Sequence, residues 1–340
     1  MQTSPPKPPP SARVLQLATA SWMAAAVSAA AELGVADALA GGARPVDEIA
    51  RTVDAHPPTL YRLLRAGAAI GLFEEREGRV FALTEVGDAL RDDSPHSMRN
   101  FARWVGLAAD RNTWAGLADS VRTGDPAFER VHGQDVWDYM RERADVSTVF
   151  DDAMSEASRQ LIAPVVDAYD FGGIDTLVDV AGGHGALLAA ILAANPDTRG
   201  LLYDRPEVVA GAKQTFQDHG VDDRAEIVAG DFFDSVPAGG DAYLLSNVIH
   251  DWDDEQSLKI LTNCRRALAE GGRVLLVEAV MPERDEPSPT VTLMDLNMLV
   301  LCGGKQRTEA EFAELFGRAG LHLTRVVRAG LHSVVEAVRA

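Results

Sequence analysis

The chain predicts an α/β protein, a doubly wound and mostly parallel sheet with an antiparallel edge strand, joined to an all-α and winged-helix N-terminal region. Three observations carry that prediction. Five short apolar, β-rich runs lie at 177–185, 200–206, 225–233, 241–254 and 273–280, most of them separated by helical stretches. Such a run reads as repeated βα units and a parallel sheet. Two further β-like runs flank Ala329-Gly330 within 321–340 and predict a closing hairpin with an antiparallel edge. The first half instead reads helix, turn, helix, hairpin. The expected division is a proline-rich disordered tail over 1–12, a helical and winged-helix domain over 13–164, and the sheet domain over 165–340.

Bulk properties bound the function. With 340 residues the chain can build two cores. Its 46% hydrophobic and 24% charged residues are ordinary for a soluble globular protein. A formal charge of −19 argues against nucleic acid or an anionic membrane as a partner. Two cysteines, Cys264 and Cys302, give no disulfide framework and no metal-ligand spacing, and so point to a reducing cytoplasm and no metal.

From the N-terminus, SPPKPPP prevents helix, and an Ala-rich helical pattern then runs from about Ala12 to Ala40, ending at Gly41-Gly42. Lys7 and Arg13 before LATASWMAAAVSAA superficially resemble a signal peptide. The run continues into the amphipathic AELGVADALA, so a packed helix is the expectation, with no stretch apolar enough to span a bilayer. Residues 45–90 read as helix, turn, helix, a hairpin with its tip at EREGR, and a short helix. Pro57-Pro58 suit the start of the second helix, and Leu60, Leu63, Leu64 and Ile70 give its apolar face. That plan raises a DNA-binding regulator as a competing class. Its reading helix offers only Arg62 and Arg65, too little base for a duplex, so a winged helix reused for packing is favoured. Residues 95–170 read as mostly helical, with aromatics at core spacing.

In a parallel sheet, ligands bind outside the carboxyl ends of the strands. The first such end reads Asp179-Val-Ala-Gly-Gly-His-Gly185, and Gly182, Gly183 and Gly185 let backbone approach a ligand closely. It misses the dinucleotide fingerprint, because Leu188 stands where the third glycine belongs. Asp204 ends the second strand, where an acid can bind ribose hydroxyls. Asp231 ends the third beside Phe232 and Phe233, an acid and an apolar face suited to an adenine. Either acid alone reads equally well as a helix cap. Together with the glycine turn they favour adenosine. His250 follows the fourth strand and Glu278 ends the fifth. A carboxylate within VLLVEAV needs a partner, and the imidazole is the candidate.

These residues resemble the S-adenosylmethionine-dependent O-methyltransferases with an N-terminal winged-helix dimerisation domain, the plant caffeate type and its bacterial secondary-metabolite branch. The resemblance covers the chain after its proline-rich tail and rests on DVAGGHG, YDRPEVV, GDFF, HDWDDE and GGKQRTEAEF in order. It implies a Rossmann-like fold and a cytoplasmic homodimer. It implies S-adenosyl-L-methionine as cofactor, held by Asp179, Gly182, Gly183, Gly185, Asp204, Asp231, Phe232 and Ser246. His250 matches the catalytic base, flanked by Glu278 and Gln306. Met154, Asn297 and Met298 match the substrate pocket of a small hydroxylated aromatic. Three positions depart from the pattern. Ala181 replaces the first of three glycines, Ser246 stands where plant members have a lysine, and Gln306 replaces the second flanking glutamate. The implied activity is methyl transfer to a hydroxyl, phenolic by family analogy. The alternatives are a cofactor-binding member with non-methylating chemistry and a cofactor-sensing regulator.

Overall fold

A computed structural model describes residues 9–284 and 286–340. By internal contacts the chain forms two compact units, Met1–Arg111 with Ala144–Glu156, and Asn112–Arg143 with Ala157–Ala340. The boundary expected at 164/165 falls inside the helix Ala144–Ala168. Residues 112–143 group with the sheet because helices Leu117–Thr123 and Ala127–His132 pack on helix Pro289–Leu301.

In the first unit, the tail expected to be disordered over 1–12 divides. Residues 1–8 lie outside the described residues, whereas Pro10–Ala18 is already helical. Proline is tolerated at the first helical position, where its missing N–H would have had no partner. The single helix expected to Ala40 is broken at Thr19 and again at Gly34, whose φ of +66° ends Ala20–Glu32. Contrary to expectation, Pro10–Glu32 is by length and composition apolar enough to cross a membrane. Ser28, Ala30 and Ala31 are buried, and this helix packs on Arg99–Trp104. Its other side leaves Val14, Leu15, Leu17 and Trp22 exposed. Beyond it lie the expected helix Pro57–Ala69 and hairpin. Strands β1 (Arg44–Pro45), β2 (Phe73–Arg76) and β3 (Val80–Leu83) pair in the order β1-β3-β2.

The second unit holds a seven-stranded sheet built from β4 (Thr176–Val180), β5 (Arg199–Asp204), β6 (Ala225–Ala229), β7 (Ala242–Ser246), β8 (Arg273–Glu278), β9 (Leu321–Ala329) and β10 (His332–Arg339). Its order is β6-β5-β4-β7-β8-β10-β9. Strands β4 to β8 pair in parallel, and β10 runs antiparallel to both β8 and β9. One strand, β10, therefore runs against the rest, as expected, and it lies between β8 and the outermost strand β9. Side chains alternate between two cores, one holding Leu177, Leu244 and Leu275, the other Val178, Tyr243 and Leu276. Burial on both faces explains why these strands read as continuous apolar runs. Strand order reverses at β4, which lies between β5 and β7. The open rim therefore collects the ends of β4, β5, β7 and β8.

Gly185 makes the turn from β4 into helix Ala186–Ala194, with φ of +76°. A β-carbon there would stand 2.7 Å from the Phe216 ring. Gly185→Ala should thus cost about 1–3 kcal/mol from left-handed backbone and overpacking together, seen as a lower denaturant midpoint at unchanged slope.

Candidate active site at the strand ends

The turn after β4 passes through three left-handed residues, Ala181 at φ +57°, Gly183 at +61° and Gly185 at +76°. Gly182 lies so close over Asp179 that a β-carbon would sit 2.3 Å from its Oδ2. Asp179 is 1% exposed, and neither carboxyl oxygen has a hydrogen-bond partner. Burial, reinforced by the charge of Asp204, pushes its pKa up to about 7. Asp204 ties this turn to β5, accepting from the Gly183 N–H at 2.9 Å and the Arg205 N–H at 2.7 Å. Burial also raises its pKa, and those amides oppose the rise. Each of its oxygens keeps acceptor capacity for a further donor.

Beyond β6, Asp231 is exposed and accepts from the Phe233 N–H at 2.7 Å, shaping its own turn. Phe232, Phe233 and Trp252 form an edge-on cluster beside it, with ring centroids 4.8–6.1 Å apart. Ser246 ends β7 half-buried. A buried carboxyl without a donor, two further acids and an aromatic wall around a glycine turn suit a cationic adenosyl ligand. S-adenosylmethionine, a sulfonium bearing an ammonium and an adenine, fits that donor set.

One strand over, His250 sits on a single turn, Ile249–Asp251, after β7. Glu278, at the end of β8, is fully buried and places Oε2 3.0 Å from the His250 Nδ1. Oε2 has no aligned hydrogen bond, so the contact is chiefly ionic. The other oxygen accepts from the Ile249 N–H at 2.8 Å and the Val248 N–H at 3.2 Å. Gln306 brings its amide to 3.2 Å from the same Nδ1. The remaining ring nitrogen, Nε2, faces Asp251 Oδ1 at 3.4 Å.

Electrostatics in this cluster are strong. Burial disfavours a charged imidazole, but the carboxylates of Glu278 and Asp251 outweigh it and hold the His250 pKa at about 9. For Glu278 burial works upward, while the imidazolium and the Ile249 amide prevail and keep it below the ordinary carboxylate value. Asp251 rises to about 6, chiefly through burial, with His250 opposing. These two carboxylates therefore favour the imidazolium over the neutral ring in the ligand-free protein.

The structure thus brings His250, Glu278 and Gln306 into contact. It sets Asp179, Gly182, Gly183, Gly185 and Asp204 together at the β4 and β5 ends, with Asp231 and Phe232 after β6. Asn297 and Met298 lie on helix Pro289–Leu301, where the Asn297 carbonyl accepts from the Trp114 indole at 3.1 Å and Met298 is buried. Met154 is half-buried on Ala144–Ala168, within the stretch that belongs to the first unit. Asp251 was not anticipated, although it adjoins His250. Nor was Arg307, which sits beside Gln306. Asp253 caps the helix Asp254–Ala267, its Oδ1 accepting from the Gln256 N–H at 2.8 Å, and Asp254 pairs with Lys305 and Arg307.

Comparison with known proteins identifies the family. Residues 114–322 match the family profile described as the O-methyltransferase domain, and residues 15–93 match the O-methyltransferase dimerisation domain. The phenazine O-methyltransferase PhzM of Lysobacter antibioticus is 42% identical over 97% of this chain and 96% of its own. An O-methyltransferase from neocarzinostatin biosynthesis, crystallised with S-adenosylmethionine and 2-hydroxy-5-methyl naphthoic acid, superposes with a TM-score of 0.79. It is 38% identical, covering 93% of this chain and 95% of its own. Aclacinomycin 10-hydroxylase RdmB of Streptomyces purpurascens is 36% identical over 88% of this chain and 81% of its own. The chain belongs to the O-methyltransferase family that carries an N-terminal dimerisation domain, and is an S-adenosylmethionine-dependent O-methyltransferase.

Proposed function

We propose that this enzyme methylates a hydroxyl, phenolic in character, on a small aromatic metabolite, with His250 as the general base and Glu278 as the carboxylate that orients it. The observation that carries this reading is the buried ionic contact of Glu278 with Nδ1, which leaves Nε2 as the nitrogen that can exchange a proton with an acceptor. S-adenosylmethionine, when bound, supplies an activated methyl on a sulfonium. Asp179, Gly182, Gly183 and Gly185 would hold its methionine end, Asp204 its ribose, and Asp231 with Phe232 its adenine, with Ser246 alongside. The chain's own residues then have two tasks, to hold the acceptor oxygen in line and to take its proton as the bond forms. Met154, Asn297 and Met298 are proposed to line the acceptor pocket. Relatives named for phenazine and naphthoate substrates support a flat hydroxylated ring system as the acceptor.

The exposed apolar side chains of the N-terminal helices, together with the matched dimerisation domain, support a homodimer formed through that region. The hydroxylase relative makes non-methylating chemistry the second reading, and the histidine base stands against it.

Labelled S-adenosylmethionine offered with hydroxyphenazines and hydroxynaphthoates should yield singly methylated products. His250→Ala should cut turnover by about 10²–10⁴-fold while leaving cofactor affinity intact by calorimetry. Near-normal rates would sink the base assignment. The imidazolium is the idle form, so turnover should climb as pH rises through about 9. Glu278→Gln removes the charge that favours the imidazolium and should move that midpoint down. Asp204→Ala should weaken cofactor binding, and unchanged affinity would remove Asp204 from the site.

A further inference from the structure

Arg307 is among the largest fully buried side chains, with only 1% of its surface exposed. A guanidinium cannot shed its proton, so such burial is tolerated only when its donors are used. Nη1 donates to the Ile249 carbonyl at 2.8 Å, and Nη2 to the Trp252 carbonyl at 2.9 Å. Nη2 and Nε also reach Asp254 Oδ1, at 2.8 and 3.2 Å, and Nη2 meets the Ser257 hydroxyl at 3.2 Å. The two carbonyls bracket His250 and Asp251 in sequence. An arginine serving only to start helix Asp254–Ala267 would need Asp254 and Ser257, but not the carbonyl of Ile249.

The residues just before it act on the same turn. The Lys305 N–H donates to the His250 carbonyl at 2.9 Å. Gly304 lies so near that a β-carbon would stand 2.0 Å from that carbonyl oxygen. Gln306, between them, places its amide on the ring. The Arg307 carbonyl accepts from the Met281 N–H at 2.8 Å, which joins this segment to the chain leaving β8 just beyond Glu278. One short segment thus touches the backbone of His250, its ring, and the strand carrying its carboxylate.

We propose that Arg307 is a positioning residue for methyl transfer. By gripping the carbonyls on either side of His250, it fixes the ring against Glu278 and Gln306. The inference rests on the reading of His250 as base, and on no contact between Arg307 and a ligand.

Arg307→Lys keeps the charge but replaces a planar fork with a single ammonium. Asp254→Asn keeps the arginine and loosens its grip from a half-exposed partner. Both full-length variants can be read by the His250 ring-nitrogen resonances in the ligand-free protein. The groups facing the ring are Glu278, Asp251, Gln306 and the charge of Arg307 itself, which lysine preserves. With a hydroxyphenazine as acceptor probe, Arg307→Lys should lower kcat about tenfold or more, with the KM for cofactor within about threefold. Its His250 resonances should shift and broaden, and Asp254→Asn should show the same pattern to a smaller degree. Folded variants with unaltered resonances and kcat would overturn the proposal. Normal turnover in His250→Ala would instead defeat the base reading, while the resonances still report on positioning.

Discussion

Glu278 has no exposed surface, and a carboxylate placed like that cannot keep its charge unless something nearby returns what hydration supplied. Two backbone amides on one oxygen and the His250 ring at the other do so. That requirement sets the local architecture. The amides come from Val248 and Ile249, so the chain leaving β7 must curl at once over the end of β8, and the curl delivers His250. The short turn, the left-handed Asn247 at φ +53° and the buried ring are consequences of satisfying one acid. A parallel sheet makes this possible, because β7 and β8 are neighbours and end on the same rim.

The same electrostatic economy recurs across the rim, with the opposite outcome. Asp179 has no amide and no cation, and its carboxyl answers by holding its proton to about 7. Asp204, one strand away, has two amides and is less strained. An acid that is uncomfortable without a ligand gains from a cation more than a solvated one does, since less hydration is lost. Unpaired burial at Asp179 and paired burial at Glu278 thus leave one carboxyl raised and the other held below its ordinary value.

Much of this was legible in the chain because it is local. Each βα unit repeats an apolar run, a polar end and a helix, and strand ends gather on one rim whatever the details of packing. Asp204, His250 and Glu278 could therefore be assigned to that rim from their place in the runs. Partnerships across sequence were not legible. Nothing in QRTEAEF says that Arg307 reaches back to Ile249 and Trp252, because a long flexible side chain can be buried or solvated with equal local plausibility. Residues 112–143 misled for a similar reason. Amphipathic helices show a buried face without naming the surface that covers it, and here that surface is helix Pro289–Leu301. The break at Thr19 escaped because alanine-rich sequence hides a kink that only backbone geometry reveals.

On the proposed reading of His250 as base, its protonation decides when in bond formation it can take a proton. A free imidazole, near 6.5, is a weak match for a phenol near ~10, and would take its proton only late in bond formation. Held at about 9, the ring is closer to that acceptor, which narrows the gap the proton must cross. The gain has a counterpart: the same carboxylates favour the protonated ring, so the neutral form that can accept a proton is the lesser one at neutral pH. The two effects pull in opposite directions. With His250 read as the base, whatever lowers its pKa to free the ring also weakens it as a base, so the two demands are met by compromise. Glu278 and Asp251 set one side of that compromise, as the carboxylates that favour the imidazolium.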